Sequence, residues 1–411
     1  MVQTQQQQAR SDPALAPYTP GDDFIDTPWA FEEHHLAWRR TMRDFVSRGV
    51  RPGAQERSRE ERFDEDVVRS LGQLGVCGLM VPEPYGPGAD LRSLCIATEE
   101  LAYADSSIAV TAHVQACNTA LFHALTDGRD DLREQVLPAA VTGEGFISFG
   151  LTEPTGGSDA AAISTRAVRD GDSWVLSGAK QFITNTGTPM SRYVIVFART
   201  DSCSSAKRPA ISAFLVPLDA EGVTVAPAYH KLGWKASDTH PLFFENVRLD
   251  AASLLGEEGR GLQEALRLLT WARIPIAAMA VGLARGCLDA TLDFVKSRQS
   301  FGKNLGQHQS VAFALADVAA DVTTARTLTY DAAWKYDNGH PIDREAAVAK
   351  LIAGEIANKV AYVCSELQGG YGFMQESDVV RHYQDARVLT IGEGTSAVQR
   401  LLISRHLGVG A

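Results

Sequence analysis

The chain has 411 residues, 45% of them hydrophobic and 22% charged, with a formal net charge of −11. This is ordinary globular composition, long enough for two or three domains with sizeable cores. Scattered Lys and Arg under a net negative charge exclude nucleic acid as the main partner, because phosphate binding needs clustered cations. The cysteines (Cys77, Cys95, Cys117, Cys203, Cys287, Cys364) lie far apart and form no C-x-x-C pair. Neither zinc nor a disulfide framework is signalled, and free buried thiols in the reducing cytoplasm are expected.

Residues 1–28 read as a disordered or extended tail, disordered through about residue 22. The stretch MVQTQQQQARSDPALAPYTPG has no apolar h-region and no Arg-rich amphipathic pattern, so neither a signal nor a transit peptide is expected. Residues 29–145 are helical in pattern. Val67, Leu71, Leu74 and Val76 recur near the helical period, as do Leu94, Ile96, Leu101 and Ile108, and PEPYGPG (82–88) breaks the helices. Residues 146–255 change texture. The runs WVLSG (174–178), YVIVFAR (193–199), ISAFLVP (211–217) and LFFENVRL (242–249) are β-branched or aromatic, with turn-formers such as DGD (170–172) between them. They predict an antiparallel, barrel-like β-domain.

Over residues 256–411 helix returns. Val311, Leu315, Val318 and Val322 form a core stripe, and the stretches 262–297, 307–337 and 343–368, with a shorter one after Ser396, predict a four-helix bundle. Pro275 is expected to kink the first helix or mark its true start. The most apolar run, Ile274 to Ala284, is shorter than the roughly 20 residues a bilayer requires, so no membrane association is expected. The fold class is therefore mainly α with a central β-domain. Parallel α/β alternation is missing, and neither GEEGRG (256–261) nor GGYG (369–372) follows a strand and opens a helix, so a Rossmann site is not supported.

Four stretches carry candidate chemistry. In TIGEGTSAVQR (390–400), Glu393 stands between two glycines before a helix start. Ser396 with Gln399 fits a capping box, and Thr395 is an alternative cap. The glycines allow close approach of backbone to a ligand. Glu393 is then either an acid favoured by the helix dipole or a general base desolvated by substrate. FGLTEPTGGSD (149–159) is either an interdomain turn or a loop presenting hydroxyls and backbone N–H groups to a polar ligand edge or a phosphate. In KQFITNTG (180–187), Phe182 and Thr184 alternate on one strand face, either as an aromatic platform or as core. In SRQSFGKNLGQHQ (297–309), Arg298 suits a phosphate or a solvated helix end. E-x-x-H occurs once, at Glu32–His35, and G-x-S-x-G does not occur, so di-iron and serine-hydrolase readings fail and no metal is expected.

Together, LTEPTGGSD, KQFITNTG, KLGWKASDT (231–239), LLGEEGRG (254–261), RQSFG (298–302), LQGGYGF (367–373) and IGEGTSAVQR (391–400) resemble, in this order, the acyl-CoA dehydrogenase family across about residues 29–408. The resemblance implies FAD between the β-domain and the bundle, with part of its site from a neighbouring subunit of a homotetramer. It also implies α,β-dehydrogenation of an acyl-CoA, with electrons passed to an electron-transfer flavoprotein. By the same resemblance Glu393 is the base. Ser158, Arg273 and Gly394 lie at the substrate, and Ala272 stands where some members carry the base instead. The implied FAD contacts are Phe149, Leu151, Thr152, Ser158, Phe182, Ile183, Thr184, Arg298, Ser300, Phe301, Gln309, Gly369, Gly370 and Thr395. Phe182 replaces a common Trp, Ala397 a frequent Gln or Glu, and Gly392 a Tyr of some members, which widens the acyl pocket; Glu366 is not assigned. His113, Gln115 and Asn118 either line the acyl pocket or serve as cap or interface residues. The alternatives on this fold are a carrier-protein thioester dehydrogenase and an O₂-using oxidase; the alternative from another class is a non-catalytic helical interaction protein.

Overall fold

Aspartates set the starts of the early helices. In the computed structural model, which describes residues 28–200 and 210–410, Asp64, Asp90 and Asp105 each accept a backbone N–H from the first turn that follows them. The N-terminal helices are α1 (Glu33–Phe45), α2 (Ala54–Glu60), α3 (Glu65–Gln73), α4 (Leu91–Ala104), α5 (Ser106–Leu125) and α6 (Asp130–Val141). Asp105 also receives Arg57 through Nε and Nη2, a buried cross-tie between α2 and the α4–α5 corner. The expected N-terminal disorder and Cys203 lie outside the described residues. The remaining cysteines are buried free thiols, as composition predicted.

The strands are β1 (Phe146–Gly150), β2 (Arg166–Asp170), β3 (Ser173–Thr184), β4 (Ser191–Arg199), β5 (Ile211–Pro217), β6 (Val223–Val225), β7 (Thr239–Asp250) and β8 (Leu254–Leu255). They form one sheet in the order β6-β7-β3-β2-β4-β5-β8, with β1 alongside β4. The expected antiparallel arrangement holds for β2–β3, β3–β7, β4–β5, β5–β8 and β6–β7, but β1 pairs β4 in parallel, and β2 touches β4 in parallel at Arg166–Arg199. No hairpin delivers β1, which arrives from α6, so no turn signal fixes its direction. The continuous apolar run of β4 is explained by burial on both faces. Val194 and Val196 face the sheet's own core, whereas Ile195 and Phe197 face the helices.

The C-terminal helices are α7 (Gly261–Ser297), α8 (Gln309–Asp337), α9 (Asp343–Leu367), α10 (Asp378–Ala386) and α11 (Ser396–His406), with a small hairpin β9 (Gln299–Ser300) and β10 (Lys303–Asn304) between α7 and α8. Short α10 has no counterpart in the sequence reading. Helix α7 starts at Gly261 and runs through Pro275, so the proline does not mark its start. The helix is buried at that point, and the Pro275 carbonyl accepts Thr98 Oγ1 from α4. Helix α7 is long and apolar enough to cross a bilayer, but 78% of its most apolar window is buried inside the protein, as befits a core helix. It packs against α4, α8 and α9 and joins the N-terminal helices to the bundle.

Candidate active site

Glu393 lies in the short loop before α11 and has φ +51; Gly394 follows at φ +92. A left-handed non-glycine residue costs about 1–2 kcal/mol and needs outside support. Gln399 Nε2 donates to the carbonyls of Glu393 (3.3 Å) and Gly394 (2.9 Å), and Lys350 Nζ, on α9, donates to Gly394 O at 2.7 Å. The cap of α11 is Thr395, whose Oγ1 accepts Val398 N–H, rather than Ser396. Gln399 therefore reaches back to carbonyls of the loop and closes no capping box.

The Glu393 carboxylate is divided between two environments. His113 Nε2 lies 2.7 Å from Oε1, while Oε2 is buried with no partner. Among the described residues, the Glu393 N–H also donates to no group of the chain. Arg273, buried on α7, faces the loop with Nε unpartnered; burial pulls its guanidinium below the usual value, against the pull of Glu393. Burial likewise takes the Lys350 ammonium down to about 8 despite Glu393 nearby. Ala272, next to Arg273, offers no acid. The loop thus presents one carboxylate oxygen and one N–H without partners in the chain, at a partly exposed position with Arg273 and Lys350 nearby.

The FGLTEPTGGSD loop is pinned to β3. Glu153 accepts Ser164 N and Oγ (both 2.6 Å), Thr165 N (3.0 Å) and Lys180 Nζ (2.8 Å). Lys180 also donates to Leu151 O, and Gln181 N–H to Thr152 O. Leu151 is buried, Thr152 half-buried and Ser158 exposed. At Phe182 the strand departs from the expected alternation. The ladder with β7 slips between Lys180 and Ile183, and Phe182 takes φ +62. The ring is therefore 60% exposed, 5.2 Å from Tyr229, instead of lying in the core. Ile183 faces the sheet core, which leaves only its backbone for a ligand, and Phe149 packs on Phe197. Thr184 stays half-buried at the end of β3. The next residue, Asn185, donates to Thr111 O on α5, two residues before His113. Helix α5 thus ties the end of β3 to the Glu393 loop.

A second cluster sits on other elements. Arg298, Ser300, Glu366, Gly369, Gly370 and Tyr371 line a cavity of ≈ 600 Å³. A Cβ on Gly369 or Gly370 would meet nothing within 4 Å, so these glycines present bare backbone to open space. Phe301, at the tip of the β9–β10 hairpin, is 94% exposed, and Gln309 is exposed at the start of α8.

The three models of the acyl-CoA dehydrogenase N-terminal, middle and C-terminal domains match residues 32–144, 148–247 and 259–408. The chain belongs to the acyl-CoA dehydrogenase family. It is 40% identical over 378 residues to the mitochondrial short-chain specific acyl-CoA dehydrogenase of Bos taurus, covering 91% of this chain and 90% of that one. Butyryl-CoA dehydrogenase of Megasphaera elsdenii superposes with a TM-score of 0.87 at 33% identity, over 92% of this chain and 99% of that one. A Mycobacterium smegmatis glutaryl-CoA dehydrogenase in complex with FADH2 also gives 0.87, at 30% identity over 94% and 97%. This acyl-CoA dehydrogenase is accordingly an oxidoreductase and a flavoprotein, with the three-domain architecture of its family.

FAD fits what the chain presents. Phe182 offers an exposed ring beside the pinned loop, and Gly369 and Gly370 leave room where a side chain would intrude, next to the Arg298 guanidinium. Sequence reasoning missed Lys350 and left His113 open. The signal for Lys350 was a single cation on the small-residue face of AAVAKLIAG (346–354). Gln115 and Asn118 both clamp Ile147 at the start of β1.

Proposed function

We propose that the enzyme removes the α and β hydrogens of a short acyl-CoA to give the trans-2-enoyl-CoA, with Glu393 as the base. The observation that carries this reading is the buried, unpartnered Oε2 of Glu393 beside a backbone N–H that is itself free. Oε2 accepts the α-proton, and the C–H electron pair becomes the α,β double bond as the β-hydrogen departs as hydride. The free Glu393 N–H donates to the thioester oxygen and stabilises the charge that develops there, an oxyanion-hole role. FAD supplies the hydride acceptor when bound.

The residues proposed to hold FAD are Leu151, Thr152, Ser158, Phe182, Thr184 and Thr395, with the backbone of Ile183, together with Arg298, Ser300, Phe301, Gln309, Gly369 and Gly370. Phe301 is almost wholly exposed, and the family resemblance points to a homotetramer in which it serves a neighbouring subunit. The short-chain preference rests on the named activities of the bovine and Megasphaera relatives. The family resemblance points to an electron-transfer flavoprotein as acceptor.

Anaerobic mixing with butyryl-CoA tests the reading. Wild type bleaches. Glu393→Gln binds flavin with an unchanged spectrum and bleaches about 10²–10⁴-fold more slowly, the usual contribution of a general base. Bleaching at the wild-type rate places the base elsewhere.

A further inference from the structure

His113 sits in the middle of α5, a helix buried nearly all round, and is itself fully buried. Its polar neighbours on α5 are occupied by the fold. Thr111 bonds Ser107 O and receives Asn185; Gln115 bonds Ala140 O and Ile147 N; Asn118 bonds Ile147 O. His113 alone is aimed at the base. Its Nε2 meets Glu393 Oε1 at 2.7 Å, and Nδ1 lies 3.6 Å from Cys117 Sγ, one turn along the same helix. A glutamate has three free side-chain torsions, and an unanchored carboxylate would exchange its two oxygens and swing within the site. Here one oxygen is fixed and the other is left without any partner.

We infer that His113 is a positioning residue for the reaction, holding Glu393 through Nε2–H and Oε1 so that Oε2 alone meets the α-hydrogen of the acyl thioester. This rests on the reading of Glu393 as the base. The hydrogen bond survives proton uptake, because a carboxylic acid protonated on Oε2 keeps Oε1 as a carbonyl acceptor. The base therefore changes charge without losing its place.

The charged and titratable groups around the pair are Cys117 on α5, Arg273 on α7 and Lys350 on α9, with Asp343 acting on Arg273 from the start of α9. Burial works against a charge on His113, yet the facing Cys117 and Glu393 carry the imidazole well above its ordinary value. Burial pushes the Cys117 thiol up.

The test uses FAD-loaded enzyme, butyryl-CoA and a ferrocenium acceptor. His113→Leu removes the anchor: kcat falls about 10–100-fold, the scale of a displaced reacting group. KM and the flavin spectrum stay at wild-type values. His113→Gln places an N–H donor where Nε2 stood and recovers kcat to within a few-fold of wild type. Should the Leu variant fail to fold, the Gln variant decides through kcat and the wild-type KM. A Leu variant with wild-type kcat overturns the inference. So does a loss confined to KM, or a Gln variant as impaired as the Leu variant. Glu393→Gln separates the two claims: if it is inactive while His113→Leu is normal, only the role of His113 falls; if it bleaches normally, the base assignment falls first.

Discussion

Lys350 brings an ammonium onto a face of α9 that is otherwise alanine and glycine, and the Gly394 carbonyl answers it. Its folded value of about 8 lies below the ~10.4 of a free lysine. Between those values the unfolded chain binds more protons, so this residue's contribution to stability rises as pH climbs from about 8 toward 10. Below pH 8 the buried charge is a cost, set against the hydrogen bond that Lys350 makes to the Gly394 carbonyl of the Glu393 loop. Lys350→Met keeps most of the volume and removes both the cost and the anchor. At pH 7 its melting temperature is expected to equal or exceed that of wild type, while kcat with butyryl-CoA drops about tenfold or more through misplacement of Glu393. A variant with unchanged kcat shows that Gln399 suffices to hold the loop. The contrast with the sequence reading is one of distance along the chain. The loop around Glu393, as a glycine-flanked turn before a helix start, was legible because its glycines and cap are adjacent residues. His113 lies 280 positions away, where spacing carries no signal. Gln399 was picked out correctly but given the wrong acceptor, because the left-handed turn at Glu393 brings two carbonyls to it.

The strand β3 and the loop before β2 act as one element through Glu153 and Lys180. Burial pushes the Glu153 carboxyl up, but Lys180 and the Ser164 and Thr165 donors outweigh it and hold the group at about 2. Its folded value lies below its unfolded one, so its contribution is complete above about pH 4.5 and is lost as pH falls toward 2. Glu153→Ala leaves Lys180 enclosed without its counter-charge, and burial, which already takes its ammonium down to about 8, then drives it toward the neutral amine; the broken buried pair is a loss of up to about 3–5 kcal/mol. Chemical denaturation at pH 7 is expected to show that loss, with flavin absorbance leaving the protein at lower denaturant than in wild type. Denaturation matching wild type means that the loop holds its shape without the pair. At this scale the sequence was legible wherever a local period operates, as in the stripe of α8 and the alternation of β3 before Lys180. It was silent where a long-range contact decides. The direction of β1, the bulge that turns Phe182 outward and the passage of α7 through Pro275 all depend on partners far along the chain.

The N-terminal helices and the bundle are joined along the seam between α4 and α7, and the position of His113 relative to Glu393 and Arg273 depends on that joint. Three helices meet at Glu99: Arg285 from α7 and Arg326 and Tyr330 from α8 all bond its carboxylate. Burial favours the neutral acid there, yet Arg326 and Arg285 hold it well below the usual carboxylate range. The backbones touch one turn away. A Cβ on Gly282 would stand 2.0 Å from the Glu99 carbonyl oxygen, a distance no flexible side chain can relieve. Helix propensity alone favours Gly282→Ala by roughly 1 kcal/mol. The clash opposes it, because opening the seam breaks packing along both helices and pulls the carboxylate from its arginines, at about 1–3 kcal/mol or more. The clash is the larger effect, so Gly282→Ala is expected to melt several degrees below wild type and to bleach more slowly with butyryl-CoA as α5 shifts with α4. Gly49→Ala is the control. Its Cβ would make only ordinary contact with the Phe45 ring at 3.7 Å, and it is expected to melt at or slightly above the wild-type temperature. If both variants melt like wild type, the seam tolerates a methyl group and the joint between the two helical parts is looser than this contact implies.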